Sequence, residues 1–195
     1  MRLREALPLL RMIFLNEISR YPKNVIELEK KFGDFLEVDN CLSLCNATFG
    51  FHAAIFALGL KRGDTILASR LSFHSSVFAF LSNGINVRFL DVDHNLNPIF
   101  PVDLDVRTSA VLVTHAFGFP NSEEFLTTCR DHGLLVIEDC SHAHGATYFD
   151  GKLVGSFGDM SIFSLQGAKA IAAGEGGVLV AGDKKYFDRA MFFSH

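Results

Sequence analysis

The chain has 195 residues, 49% of them hydrophobic and 21% charged, with a net charge of −4 and a pI near 6.0. That length and apolar content suit one sizeable core and exclude a disordered chain, and the mild negative charge leaves no basic field for nucleic acid or an anionic membrane, so a small-molecule partner is expected. The four cysteines, Cys41, Cys45, Cys129 and Cys140, form neither a CxxC pair nor a disulfide framework, which fits reduced thiols in the cytoplasm.

In chain order, Met1 to Phe14 is apolar but carries Arg2, Arg4, Glu5 and Arg11, without the continuous apolar region of a secretion signal. No stretch is long enough to span a bilayer. Val25 to Leu36 places apolar residues at helical spacing, with Glu27 and Lys31 able to pair on the exposed face. Cys41 to Leu44 reads as a strand that turns at Asn46, Ala47 and Thr48 into an apolar helix from Phe49 to Leu60. Such a turn exposes N–H groups where a phosphate can sit, although Asn and Thr serve equally well as plain helix caps. Thr65 to Ala68 is a strand whose exit carries Ser72, Phe73 and His74, and Phe78 to Asn83 continues a helix. Val87 to Leu90 and Ala110 to Thr114 are strands, and Glu123 to His132 is a helix. Strands alternating with helices argue for βαβ units and a mainly parallel sheet.

The chemistry concentrates between Leu134 and Ala181. Leu134 to Ile137 is the apolar run of a buried strand that ends in Glu138 and Asp139, at the edge where open α/β sheets bind ligands. The run Met160 to Leu165 leads to Ser164, Gln166 and Lys169, and Gly174-Glu175-Gly176-Gly177 precedes a third run, Val178 to Val180. An acid, a hydroxyl and a lysine thus converge. A lysine can form a Schiff base with an aldehyde, an aspartate can hold a pyridinium nitrogen protonated, and hydroxyls with backbone N–H groups can hold a phosphate. Two blander readings stand beside this one. His142 and His144 with Glu138 and Asp139 are metal-ligand types, but the spacing is not a helical HExxH and no second ligand group stands out, so no metal is expected. The glycine cluster can be a tight turn between strands.

Asp139, His142, Ser164 and Lys169 stand in the frames V-I-E-D-x-x-H-A-H-G-A, G-S-F-G-D, F-S-x-x-x-x-K and G-E-G-G. With these four motifs in order, the sequence resembles the DegT/DnrJ/EryC1/StrS sugar aminotransferases. The resemblance runs from about Val25 to His195. It implies the large domain of a fold-type-I pyridoxal-phosphate enzyme, a mainly parallel sheet between helices in an αβα sandwich, over 25–195, with an N-terminal helical segment over 1–24. It also implies pyridoxal 5′-phosphate on Lys169, Asp139 against the ring nitrogen and Phe73 stacked on the ring. His142 would face the phenolic oxygen, where the family often has glutamine, and Ser164 with the N–H groups of Thr48 and Phe49 would hold the phosphate. Family members commonly carry Asn-Gly-Thr or Ser-Gly-Thr where this chain has Asn46-Ala47-Thr48.

The implied reaction transfers an amino group, commonly from glutamate, to a keto group on a nucleotide-linked sugar, as in polysaccharide biosynthesis. Family chains carry roughly as much sequence again beyond this point, including a small C-terminal domain. The expectation is therefore a chain that works as a homodimer or with a complementing partner chain, and that self-associates and turns over little by itself. Two alternatives remain open. One is a shortened relative that binds the cofactor or a partner without turnover, and the other is a sugar dehydratase of the same family, in which histidine replaces the Schiff-base lysine.

Overall fold

Seven short strands form one sheet, and its interior strands are largely apolar because they are buried on both faces. The computed structural model describes residues 3–14 and 23–194. The strands are β1 (Cys41–Leu44), β2 (Thr65–Ser69), β3 (Asn86–Leu90), β4 (Thr108–Thr114), β5 (Leu135–Asp139), β6 (Met160–Ser164) and β7 (Gly177–Ala181). The helices are α1 (Leu3–Phe14), α2 (Lys23–Leu36), α3 (Ala47–Leu58), α4 (His74–Ser82), α5 (Glu123–Asp131) and α6 (Lys184–Ser194). Their order across the sheet is β1-β7-β6-β5-β4-β2-β3. β2 through β6 pair in parallel, while β7 is antiparallel to both β6 and β1. The expected αβα sandwich is thus present. Of the predicted N-terminal segment 1–24, α1 and the start of α2 are seen, and residues 1–2 and 15–22 lie outside the described residues. No helix among the described residues is long and apolar enough to cross a membrane.

Side chains alternate between two apolar layers. Ile66, Ala110, Leu112, Ile137, Ile162 and Leu179 pack with α3, α4 and α6 on one face. Leu67, Val111, Val136, Phe163, Val178 and Val180 pack with α2 and α5 on the other. The central helix α3 is apolar all round and buries Gly50, Phe51, Ala53, Ala54 and Ala57. It starts two residues earlier than the apolar run predicts, because Asn46 caps it: Asn46 Oδ1 accepts the Phe49 N–H at 2.8 Å. It ends at Leu58 because Gly59 adopts the left-handed conformation, φ 76°. Helix α4 also begins earlier than predicted, at His74, which brings Ser76 onto its first turn.

Gly177 pairs with Leu44 of β1 and with Ser164 of β6. A Cβ on it would lie 2.6 Å from the Asn46 carbonyl carbon and 2.7 Å from the Ala47 nitrogen. These are backbone atoms, so the last glycine of G-E-G-G is there because the entry to α3 crosses directly over it.

Glu138 is 0% exposed, and its carboxylate gathers donors from four segments. His115 Nε2 lies 2.9 Å from Oε2, the Tyr148 hydroxyl donates to the same oxygen, and the Gly155 N–H reaches it at 3.1 Å. Oε1 accepts the N–H groups of Phe157, at 3.0 Å, and Gly158, together with the Ser161 hydroxyl at 3.1 Å. The Asn121 N–H donates to His115 Nδ1 at 3.1 Å, so the imidazole proton belongs on Nε2, facing the carboxylate. Burial opposes ionisation of Glu138, but the hydrogen bonds that His115, Tyr148 and Gly158 donate outweigh it and bring the pKa from 4.5 down to about 2.

Two outcomes follow from this packing. Gly177→Ala should cost about 1–3 kcal/mol, as overpacking against rigid backbone does, and calorimetry should record a melting temperature several degrees lower. A carboxylate with a depressed folded-state pKa stabilises the fold above its unfolded pKa and loses that contribution as pH falls through the folded value. For Glu138 the window runs from 4.5 down toward about 2. Urea unfolding at pH 7, 4 and 3 should show this acid-dependent loss in the parent chain. Glu138→Gln, which turns an NH2 group toward its former donors, should be destabilised already at pH 7 and lack that component.

Candidate functional site

The parallel strands β4, β5 and β6 end at one edge of the sheet, where they meet the N-termini of α3 and α4 around a cavity of about 460 Å³. Thr48, Phe73, Asp139, His142, Ser164 and Lys169 all line it. Residues from five segments separated by up to 121 positions are therefore brought together, as the motifs imply.

Phe49 is the exception. Its N–H is taken by Asn46 Oδ1, and its ring stacks on Phe193, centroids 5.5 Å apart, away from the cavity. The capping asparagine claims this amide because it satisfies a first-turn donor locally. The amides left at the mouth of α3 are those of Ala47 and Thr48, which as first-turn positions have no acceptor within the helix. Ser164, 8% exposed, stands beside them through the Ser164–Gly177 pairing.

Asp139 is 3% exposed at the end of β5. The Ser76 hydroxyl donates to its Oδ2 at 2.7 Å and the Ser141 N–H to its Oδ1 at 3.1 Å. Ser76 is a residue that the sequence reading missed. Its signal was the hydroxyl run Ser75-Ser76 one turn beyond Phe73, but the predicted helix began too late to place that run at the site. Among the described residues neither Asp139 nor Lys169 has an ion-pair partner. Lys169 rides on the loop between β6 and β7, which is a hydrogen-bonded turn as well as a lysine carrier. The Leu165 N–H donates to the Gly176 carbonyl at 2.9 Å, Gly167 to Gly174 at 2.9 Å and Lys169 to Gln166 at 2.8 Å.

Phe73 caps α4 with its ring 54% exposed and tilted against His74, centroids 4.2 Å apart. The Ser72 and Thr114 hydroxyls bond each other at 2.8 Å on the same wall.

The four residues considered as metal ligands do not converge. Glu138 faces the apolar layer opposite the cavity with both oxygens occupied, and His144 packs its ring near Phe163, centroids 5.6 Å apart. His115, Glu138 and Cys140 do approach within 4.8 Å. However, the carboxylate is filled by donors, and burial with the nearby Glu138 and Asp139 charges pushes the Cys140 thiol well up, which suits hydrogen bonding and not thiolate ligation.

The sequence profile of the DegT/DnrJ/EryC1/StrS aminotransferase family matches residues 7–195, beginning well before Val25 and so including much of the N-terminal segment. GDP-perosamine synthase of Escherichia coli O157:H7 is 34% identical over 181 residues, 90% of this chain and 50% of that protein. The spore coat polysaccharide biosynthesis protein SpsC of Bacillus subtilis is 33% identical, over 91% of this chain and 46% of that protein. Among solved structures, an aminotransferase from Psychrobacter cryohalolentis superposes with a TM-score of 0.91 at 26% identity, covering 98% of this chain and 50% of that one. DesI, solved in the presence of its TDP-sugar product, gives 0.85 at 30% identity over 94% of this chain and 47% of that one. The chain spans about half the length of the curated relatives it matches. With residues 7–195 matched by the family profile and its motif residues gathered at one sheet edge, this chain belongs to the DegT/DnrJ/EryC1/StrS aminotransferase family.

Proposed function

We propose that the cavity binds pyridoxal 5′-phosphate and serves the transfer of an amino group from glutamate to a keto group on a nucleotide-linked sugar. One observation carries this reading: a buried aspartate and a lysine, neither with an ion-pair partner among the described residues, line the same cavity. A buried carboxylate held only by a hydroxyl and an amide retains lone pairs and lacks a positive partner, and a protonated ring nitrogen supplies both needs. The donor set also matches the group's other end, since the Ala47 and Thr48 amides and the Ser164 hydroxyl offer a phosphate the N-terminus of α3.

When bound, the cofactor supplies an electron sink for the carbon that carries the amino group. The chain's residues then divide the work. Asp139, positioned by the Ser76 hydroxyl, would hold the ring N–H and keep the ring protonated. Lys169 Nζ is the amine that an aldehyde requires and the base that takes and returns the proton at carbon. Phe73 would cover a face of the ring, and His142 would offer an imidazole to the phenolic oxygen, since both line the cavity. Support for a sugar acceptor comes from GDP-perosamine synthase and from DesI with its TDP-sugar product. The glutamate donor comes from the family resemblance.

Pyridoxal phosphate added to the purified chain and reduced with borohydride should be fixed to Lys169, read by peptide mass spectrometry, and Lys169→Ala should keep its circular dichroism while losing the label. Label elsewhere, or none, would sink the assignment. Asp139→Asn should still take the label, but its half-reaction with glutamate, followed by absorbance, should slow by about 100-fold or more, equivalent to roughly 2.7 kcal/mol. An unchanged rate removes Asp139 from this role.

A further inference from the structure

Among the described residues, three other than glycine have φ in the left-handed region: Glu37, Leu96 and Phe117. Glu37 follows the last residue of α2, and Leu96 sits in the turn closed by its own N–H to Asp93, so both occupy ordinary turn positions. Phe117, at φ 57° and ψ 16°, lines the cavity. A phenylalanine is a poor choice for this backbone, which glycine adopts freely and which asparagine or aspartate tolerates better. The turn leaves little alternative. Phe119 N–H donates to the Ala116 carbonyl at 3.0 Å, and Asn121 ties it down through His115 Nδ1 at 3.1 Å and the Thr114 carbonyl at 2.8 Å. His115 is in turn locked to buried Glu138. Packing does not call for the ring either, because the side chain is 71% exposed. Neither backbone nor core asks for phenylalanine here, and what remains is the open face of an aromatic ring at the mouth of the cavity.

We infer that Phe117 is the platform on which the sugar ring of the amino acceptor lies, a reading that rests on the proposed function. The C–H bonds on one face of a hexose are polarised toward the negative face of an aromatic ring, as in edge-to-face pairs. Phe73 is already assigned to the cofactor ring, whereas Phe117 stands at the rim. The Ser72 and Thr114 hydroxyls and the His74 ring on the same lining suit the sugar's hydroxyl groups. The strained turn holds the aromatic face in position before the sugar arrives, which reduces the ordering cost of binding.

The test uses the whole chain with pyridoxal phosphate reduced onto Lys169 and GDP-mannose as the probe. Saturation-transfer NMR with irradiation of the aromatic protons should mark the hexose ring protons, and calorimetry supplies Kd. Phe117→Gly should weaken binding about 3–10-fold and lose much of the transfer, while Phe117→Tyr retains both. Because glycine relieves the backbone, the Phe117→Gly chain should melt no lower than the parent, and about 2 °C higher at best. An unchanged Kd in Phe117→Gly overturns the inference, as does weaker binding accompanied by a lower melting temperature, or no binding to the labelled parent chain. Failure of Lys169 to take the label overturns the proposed function instead.

Discussion

The hydrogen-bonded burial of the Glu138 carboxylate is the constraint on which the rest of the site depends. A charge removed from water is tolerated only where donors replace its hydration, and moving any one of them leaves the charge uncompensated. Here the donors come from the end of β4, from the hairpin that carries Tyr148, from the turn at Gly155 to Gly158 and from β6. Four stretches of chain are therefore held in register by one side chain. Adjacent residues on a strand point to opposite faces, so fixing Glu138 in one layer also fixes Asp139 in the other. The acid that lines the cavity is placed by the acid beside it.

Much of this was legible in the sequence. Each predicted strand reappears with ends shifted by at most two residues, since short apolar runs between turn signals have few alternatives in an α/β chain. Asp139, Ser164 and Lys169 could be read because each follows a buried run, and chain ends of parallel strands meet at one edge. What escaped was set by local capping and tertiary contact. The Phe49 amide belongs to Asn46, which depends on a side-chain rotamer that a pattern of residue types does not encode. Ser76 reaches Asp139 across 63 positions, and its helix begins at a phenylalanine cap that makes no side-chain hydrogen bond, so no capping signature announced it. Glu138 and His144 carried metal-ligand chemistry by type, and only their placement in the apolar layer separates them from the cavity.

The site also differs from the core in how its charges are treated. Glu138 has its full complement of donors and is sealed, whereas Asp139 and Lys169 face a shared space with part of their bonding capacity unused. The two adjacent acids thus differ within one dipeptide, one with its donors complete and the other with lone pairs still open toward the cavity.

The reversed strand β7 has a mechanical consequence. Because it runs against its neighbours, its first residue lies at the same edge as the last residues of β1 and β6, and Gly177 is bonded between Leu44 and Ser164. The spacing between the entry to α3 and the root of the lysine loop is therefore measured across three adjacent strands in rungs of a ladder. The entry to α3 is thereby set against the root of the lysine loop by strand pairing as well as by helix packing.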